Sequence, residues 1–175
     1  MCRFKDSLSY GQIGEGRIAN WLKLRGYCVM PVYEKEVDNG KGPRIFMPPS
    51  YIENLIAPDM FIFNKEKAMF IEAKRKSAFS WYRNGGYWTT GIDLKHYLHY
   101  CKVEEISPFK VYLMFLQEGG RAKDSPQSPS GLYYNSLEFL RDNEDHRSNR
   151  WGNHGMVYWK IDSLKKRAEL EEMPD

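Results

Sequence analysis

Apolar residues fall in two short runs, 60–63 and 68–71, on either side of the polar break 64–67. That pattern predicts two strands joined by a tight turn. Pairing Asn64 with Lys67 across a two-residue turn makes opposed positions sum to 131. Asp59 and Glu72 satisfy the same sum, which sets the two carboxylates directly opposite each other, with Cβ atoms roughly 4.5–5.5 Å apart. Lys74 lies two residues beyond Glu72, so strand alternation puts it on the same face.

The surrounding chain alternates between the two periods. Residues 9–26 form an amphipathic helix with Ser9 as N-cap and Gly26 as the stop. From Glu15, the positions three, four and seven residues on are Ile18, Ala19 and Leu22, so Glu15 lies on or beside the buried stripe. Gly14 and Gly16 flank it, at a cost in helix stability but with room for close approach. Residues 27–33 read as a strand that Pro31 confines to an edge or a bulge, and residues 38–49 as a loop.

Residues 77–91 read as an aromatic-rich loop, and residues 93–105 as a helix with the stripe Leu94, Tyr97, Leu98 and Cys101. On that helix His96 and His99 are expected as a solvent-facing pair rather than metal ligands. Residues 109–116 are a buried strand, and 117–131 a long mobile loop whose Arg121 and Lys123 could close over nucleic acid. Residues 132–140 are expected to be helical, 142–154 irregular, 156–161 a last strand, and 164–172 a charged helix capped by Ser163. There is no internal repeat.

The acid pair carries the chemistry. Like charges opposed in a sheet destabilise it, and charges beside central, doubly covered strands are expensive unless paired or bound to metal. Two carboxylates beside a lysine suit a hard cation such as magnesium, with the Ala73 carbonyl as a third oxygen ligand. Such an ion would polarise a scissile phosphate and lower the pKa of a bound water, while Lys74 orients that water or stabilises developing charge. Burial and the neighbouring acids pull the lysine's pKa in opposite directions. Glu15 either points at the same site, directly or through water, or caps the stripe and reaches solvent.

Composition adds bounds. The 175 residues, 42% hydrophobic and 15% aromatic, suffice for one good core, and one domain over 1–175 is expected. The net charge of +3 says little about partners, but residues 65–102 hold eight Lys or Arg against three acids. That is either a field drawing phosphates toward the acids or an ordinary solvated face. Lys76, Arg83, Lys95 and His96 are the candidate phosphate contacts, and Trp88 and Tyr100 the candidate aromatic contacts. The aromatics of 77–91 either stack exposed bases or pack over one another. Three cysteines without paired spacing, Cys2, Cys28 and Cys101, read as free thiols in a reducing compartment. With neither a signal peptide nor a membrane span legible, a cytoplasmic protein is expected.

Pro58-Asp59, then Glu72-Ala73-Lys74, with Glu15 in a preceding helix, resembles the PD-(D/E)XK nuclease superfamily. Over residues 9–116 the chain looks most like archaeal Holliday-junction resolvases and small phage-type nucleases. The resemblance implies an α/β restriction-endonuclease-like fold, a mixed central sheet with helices on both faces. It implies that Asp59 and Glu72 bind Mg²⁺, with Mn²⁺ the expected substitute, that Lys74 assists the attacking water and that Glu15 completes the site. RecB-like exonucleases of the superfamily carry Gln-x-x-x-Tyr after the lysine strand; here the nearest equivalent is His96-x-x-x-Tyr100, without the glutamine. The expected function is Mg²⁺-dependent hydrolysis of DNA phosphodiesters, structure-specific first and exonuclease or restriction-type second, with a homodimer as the expected assembly. A non-catalytic nucleic-acid-binding module and a metal-independent interaction protein are the rivals.

Overall fold

The computed structural model describes residues 2–32, 43–121, 125–149 and 155–174, with side chains from residue 9. Its backbone is a six-stranded mixed sheet. In spatial order the strands are β1 (Cys28–Pro31), β4 (Met60–Phe63), β5 (Ala68–Lys76), β8 (Lys110–Glu118), β9 (Ser130–Ser136) and β12 (Lys165–Ala168). β5 and β8 run parallel and the other pairings are antiparallel. Helices cover both faces. Helix α1 (Cys2–Lys23) lays Ile18, Trp21 and Leu22 over Met60, Ile62, Ile71, Ala73 and Met114. Each buried Ile, Leu or Met among them contributes about 1.5–3 kcal/mol.

The other face receives α2 (Leu94–Ile106), α3 (Leu137–Asp142) and a second, four-stranded sheet. That sheet runs β10 (His146–Ser148), β11 (Met156–Lys160), β7 (Tyr87–Asp93), β6 (Ser80–Tyr82). Two remaining two-residue strands, β2 (Arg44–Ile45) and β3 (Leu55–Ile56), pair with each other.

The predicted hairpin forms in the predicted register: Met60 opposes Ile71 and Phe63 opposes Ala68. The Asn64 amide donates to the Lys67 carbonyl at 2.9 Å, and the Asn64 Oδ1 accepts the amides of Glu66 and Lys67, closing the two-residue turn. β1 is an edge strand ending at Pro31, and Gly26 takes φ +82° just past α1.

Several expectations are corrected. Helix α1 begins at Cys2, so Ser9 lies within it and caps nothing. The aromatic segment 77–91 is the β6–β7 hairpin rather than a loop, its rows of Trp and Tyr pairing across the strands. Residues 44–45, in the expected loop 38–49, pair with β3; residues 38–42 lie outside the described residues. Residues 130–136 form a strand because a sheet neighbour, β8, is available to pair with them; only 137–142 are helical. Residues 165–168 likewise pair with β9 instead of forming a charged helix, and Ser163 ends a short 3₁₀ turn. Of the expected irregular span 142–154, residues 146–148 join the second sheet, and 150–154 lie outside the described residues.

The segment 117–131 is tied down at both ends. Gln117 and Gly131 are in the ladder, Ser128 is buried and its Oγ accepts the Phe79 amide, and Arg121 Nε donates to the Ser125 carbonyl. Lys123 lies outside the described residues. Among the described residues Cys28 and Cys101 are free thiols, and no helix is long and apolar enough to cross a membrane.

Helix α2 is capped by Asp93, whose side chain accepts the amides of Lys95 and His96. It buries Tyr97, His99, Tyr100 and Val103, whereas the expected stripe residue Leu98 is 46% exposed. The buried flank is partly polar and each polar group has a reason to be there. Tyr97 donates to Glu144, and His99 Nδ1 accepts the Ile56 amide at 3.0 Å. His99 is therefore not half of a solvent-facing pair; it secures β3 against the helix.

Candidate active site

The ladder between β4 and β5 stops at Met60, so Asp59 sits one residue beyond the strand, beside Glu72 as the turn register requires. The Ala73 amide, past the last rung, donates to Asp59 Oδ2 at 2.8 Å. A strand residue directs its N–H and C=O toward the same neighbour, so the Ala73 carbonyl lies on the Asp59 side. Glu72 is fully buried, and its Oε2 has no hydrogen-bond partner. The Lys74 ammonium forms an ion pair with Glu72 Oε1.

Electrostatics tie further elements to this point. Burial, then the charge of Glu72, pushes the Asp59 carboxyl up to about 7. Burial, then the charge of Asp59, pushes Glu15 up to about 7, which brings the α1 carboxylate into the same field; Lys74 opposes this. Burial works against the Lys74 ammonium, but Glu72 and Asp59 outweigh it and hold its pKa above the ordinary lysine value. Lys74 is therefore a cation.

From α2, burial and then Glu72 and Asp59 drive the Tyr100 hydroxyl well above the usual phenol range. His96 is lowered by burial and by Lys74, and its Nδ1 lies 3.4 Å from the Tyr100 hydroxyl. Lys76, one more step along the same face of β5, falls to about 8 through burial and the neighbouring Lys74.

Glu15, Asp59, Glu72 and Lys74 are thus brought together, with His96 and Tyr100 behind them. Tyr100 is 1% exposed, so it offers no face for a base to stack on; it belongs to the floor of the site. Trp88 is partly buried against the core and packs edge-on to Trp81, centroids 4.8 Å apart. The tryptophans therefore pack over one another, the blander of the two readings. Arg83 is exposed in the β6–β7 turn, and Lys95 is half-buried in the first turn of α2.

One cluster escaped the sequence reading. Arg75 Nε donates to Glu118 Oε1 at 2.7 Å, Tyr10 donates to Glu118 Oε2 at 2.5 Å, and the guanidinium lies 4.0 Å from the Tyr10 ring centroid. These contacts fasten α1 to β5 and β8 and so fix where Glu15 points. They also neutralise one cation of the 65–102 segment from outside it, as Glu53 does for Lys102. The positive field is correspondingly weaker than a count over 65–102 suggests. Of the two glycines beside Glu15, Gly14 allows the close approach: a Cβ there would stand 2.4 Å from Arg75 Cβ. Gly16 faces open space.

The donor set suits a divalent ion of the magnesium type. A buried carboxylate with one oxygen unpartnered sits beside a second whose proton affinity is raised by burial and by the neighbouring charge. Among the described residues no three His, Cys, Asp or Glu side chains close around one point. One or two carboxylates, completed by carbonyl, water and phosphate oxygens, is the usual magnesium arrangement.

No protein-family model matches the chain, and no curated protein does. Among solved structures, it is similar to Hjc of Archaeoglobus fulgidus, a Holliday junction resolvase from an archaeal hyperthermophile. The similarity has a TM-score of 0.51 at 10% identity, over 87% of this chain and 90% of that one. The two chains share a fold. The likeness reaches past the 9–116 span that the sequence resemblance covers and takes in part of the last third.

Proposed function

We propose that the chain is a magnesium-dependent nuclease of the PD-(D/E)XK type that hydrolyses DNA phosphodiesters, with branched DNA as the first candidate substrate. One observation carries the reading: the Glu72 carboxylate is entirely buried opposite Asp59 across a tight hairpin, with Lys74 paired to Oε1 and Oε2 left without a partner. A buried charge left in that state is costly unless a ligand completes it. The resolvase-like fold supports the same reading.

Asp59, Glu72 and the Ala73 carbonyl would hold the ion, with Glu15 meeting it through water. A divalent ion there supplies Lewis-acid polarisation of the scissile phosphate and acidifies its bound water. Lys74, held charged by its acids, donates from Nζ to a phosphate oxygen and stabilises charge that grows in the transition state. It is not the base. Glu15, with its carboxyl at about 7, suits proton acceptance near neutral pH. The Tyr100 hydroxyl keeps its proton and bounds the site beneath Glu72. Lys76, next after Lys74 on the same face of β5, and Lys95, in the first turn of α2, are the candidate contacts to a DNA backbone. A homodimer fits a two-fold substrate such as a four-way junction.

The test is cleavage of linear, nicked, flapped and four-way DNA in Mg²⁺, Mn²⁺ and EDTA by the wild type and by Asp59→Asn. Metal-dependent cleavage lost in the variant is expected. Metal-dependent DNA binding without cleavage would leave a binding module instead.

A further inference from the structure

A cavity of about 530 Å³ opens on the opposite face of the central sheet from Glu72. Ile62, Met69 and Ile71 form its floor, with Trp21 and Leu22 of α1 against it. Glu72 follows Ile71 on β5 and so points away from it. Arg25, Lys67, Lys165 and Arg167 stand around the cavity, all exposed, and its lining contains no Asp or Glu. Among the described residues none of the four forms a salt bridge with a carboxylate.

Two of these cations crowd a single ring. The guanidinium carbons of Arg25 and Arg167 lie 3.6 Å and 6.0 Å from the Trp21 ring centroid. Among the described residues no carboxylate offsets these two like charges, and an anion would. A second observation is independent of charge. Trp21 is 3% exposed, and its indole N–H is buried without any hydrogen-bond partner. Native structures seldom leave such a donor unmatched. Half of the remaining lining is aromatic. Tyr27, Tyr112 and Tyr134 are half-buried, the last two with ring centroids 6.4 Å apart and planes tilted by 30°.

The geometry points to a second ligand site, separate from the acids, that takes a nucleotide unit: phosphate among Arg25, Lys165 and Arg167, and base against the tyrosines. The volume falls within the range of about 300–1,000 Å³ usual for small-molecule sites. Arginine forks match phosphate oxygens, and base-on-aromatic contact tolerates any base. The unit is either a free mononucleotide or the end of a nucleic-acid strand, which present the same chemistry.

Calorimetric titration of the full chain in EDTA with adenosine 5′-monophosphate, adenosine, inorganic phosphate and a 5′-phosphorylated trinucleotide tests this. The monophosphate should saturate a single site at least tenfold more tightly than adenosine or phosphate. Arg167→Glu and Lys165→Glu should each weaken it at least tenfold without changing the melting temperature, since both side chains are exposed. Should either variant melt early, Arg25→Glu serves in its place. Asp59→Asn should bind like the wild type, so this site stands or falls apart from the nuclease reading. Tighter binding of the trinucleotide would assign the site to strand ends, and tighter binding of the monophosphate to a free nucleotide. The proposal is overturned by absence of saturation at millimolar ligand, by phosphate binding as tightly as the monophosphate, by charge-reversed variants that bind normally, or by loss of binding in Asp59→Asn.

Discussion

Asp59 accepts the Ala73 amide at 2.8 Å, so one carboxylate is fastened to the backbone between Glu72 and Lys74. The contact holds Asp59 beside a buried like charge, where its carboxyl rises to about 7. That arrangement makes the acid pair testable without any substrate.

The folded Asp59 and Glu15 carboxyls titrate at about 7, against about 4 for unfolded carboxyls. Between those values the folded protein holds protons that the unfolded chain has released. The stability these groups lend is therefore full below about pH 4 and lost as pH rises through 7. In the metal-free protein, Asp59→Asn should come closest to the wild type in urea unfolding near pH 4 and exceed it at pH 8. A variant less stable at pH 8 would show the carboxylate to be a structural asset rather than a burden.

Magnesium should reverse that loss. At one hundred times its dissociation constant a ligand specific to the folded state adds about 2.7 kcal/mol. Thermal melting at pH 8 should therefore rise with added Mg²⁺ or Mn²⁺ in the wild type and stay flat in Asp59→Asn and Glu72→Ala. Equal shifts in all three would mean that the ion binds elsewhere.

Removing Lys74 strands the Glu72 charge. Lys74→Met should destabilise the metal-free protein by about 2–3 kcal/mol, below the full range for a buried pair because the lysine side chain is 29% exposed. The double variant Glu72→Gln/Lys74→Met should regain most of that loss. Denaturant unfolding at pH 7.5 reads both, and cleavage should be lost in each.

The glycines beside Glu15 should behave oppositely. Gly16→Ala meets open space and should stabilise by about 0.5–1 kcal/mol through helix propensity, with cleavage retained. Gly14→Ala puts a methyl group onto Arg75 Cβ, which must push α1 off β5. It should destabilise despite the better propensity and slow cleavage by displacing Glu15. Melting temperatures of the two variants, followed by single-turnover assays, decide it.

Much of the site was legible in the chain because its geometry is local. A two-residue turn and a period of two fix the partner of Asp59 and the face of Lys74, whatever surrounds them. The same holds for Gly26, whose positive φ ends α1, and for Pro31, which keeps β1 at the edge. Segments 130–136 and 165–168 were misread for the complementary reason. Each becomes a strand by pairing with a distant neighbour, and local pattern carries no record of that neighbour.

The amino-acid order by itself determined the hairpin register, the acid pair and the lysine beside it, because these depend on residues within one turn of each other. Only the tertiary structure decided the rest. It turned the Tyr100 flank of α2 inward, set Glu118 against Arg75, buried Glu72 with one oxygen unpartnered and kept Lys74 charged beside the other. Burial and net field are sums over atoms remote in the chain, so they exist only once the sheet and its two covering layers have closed.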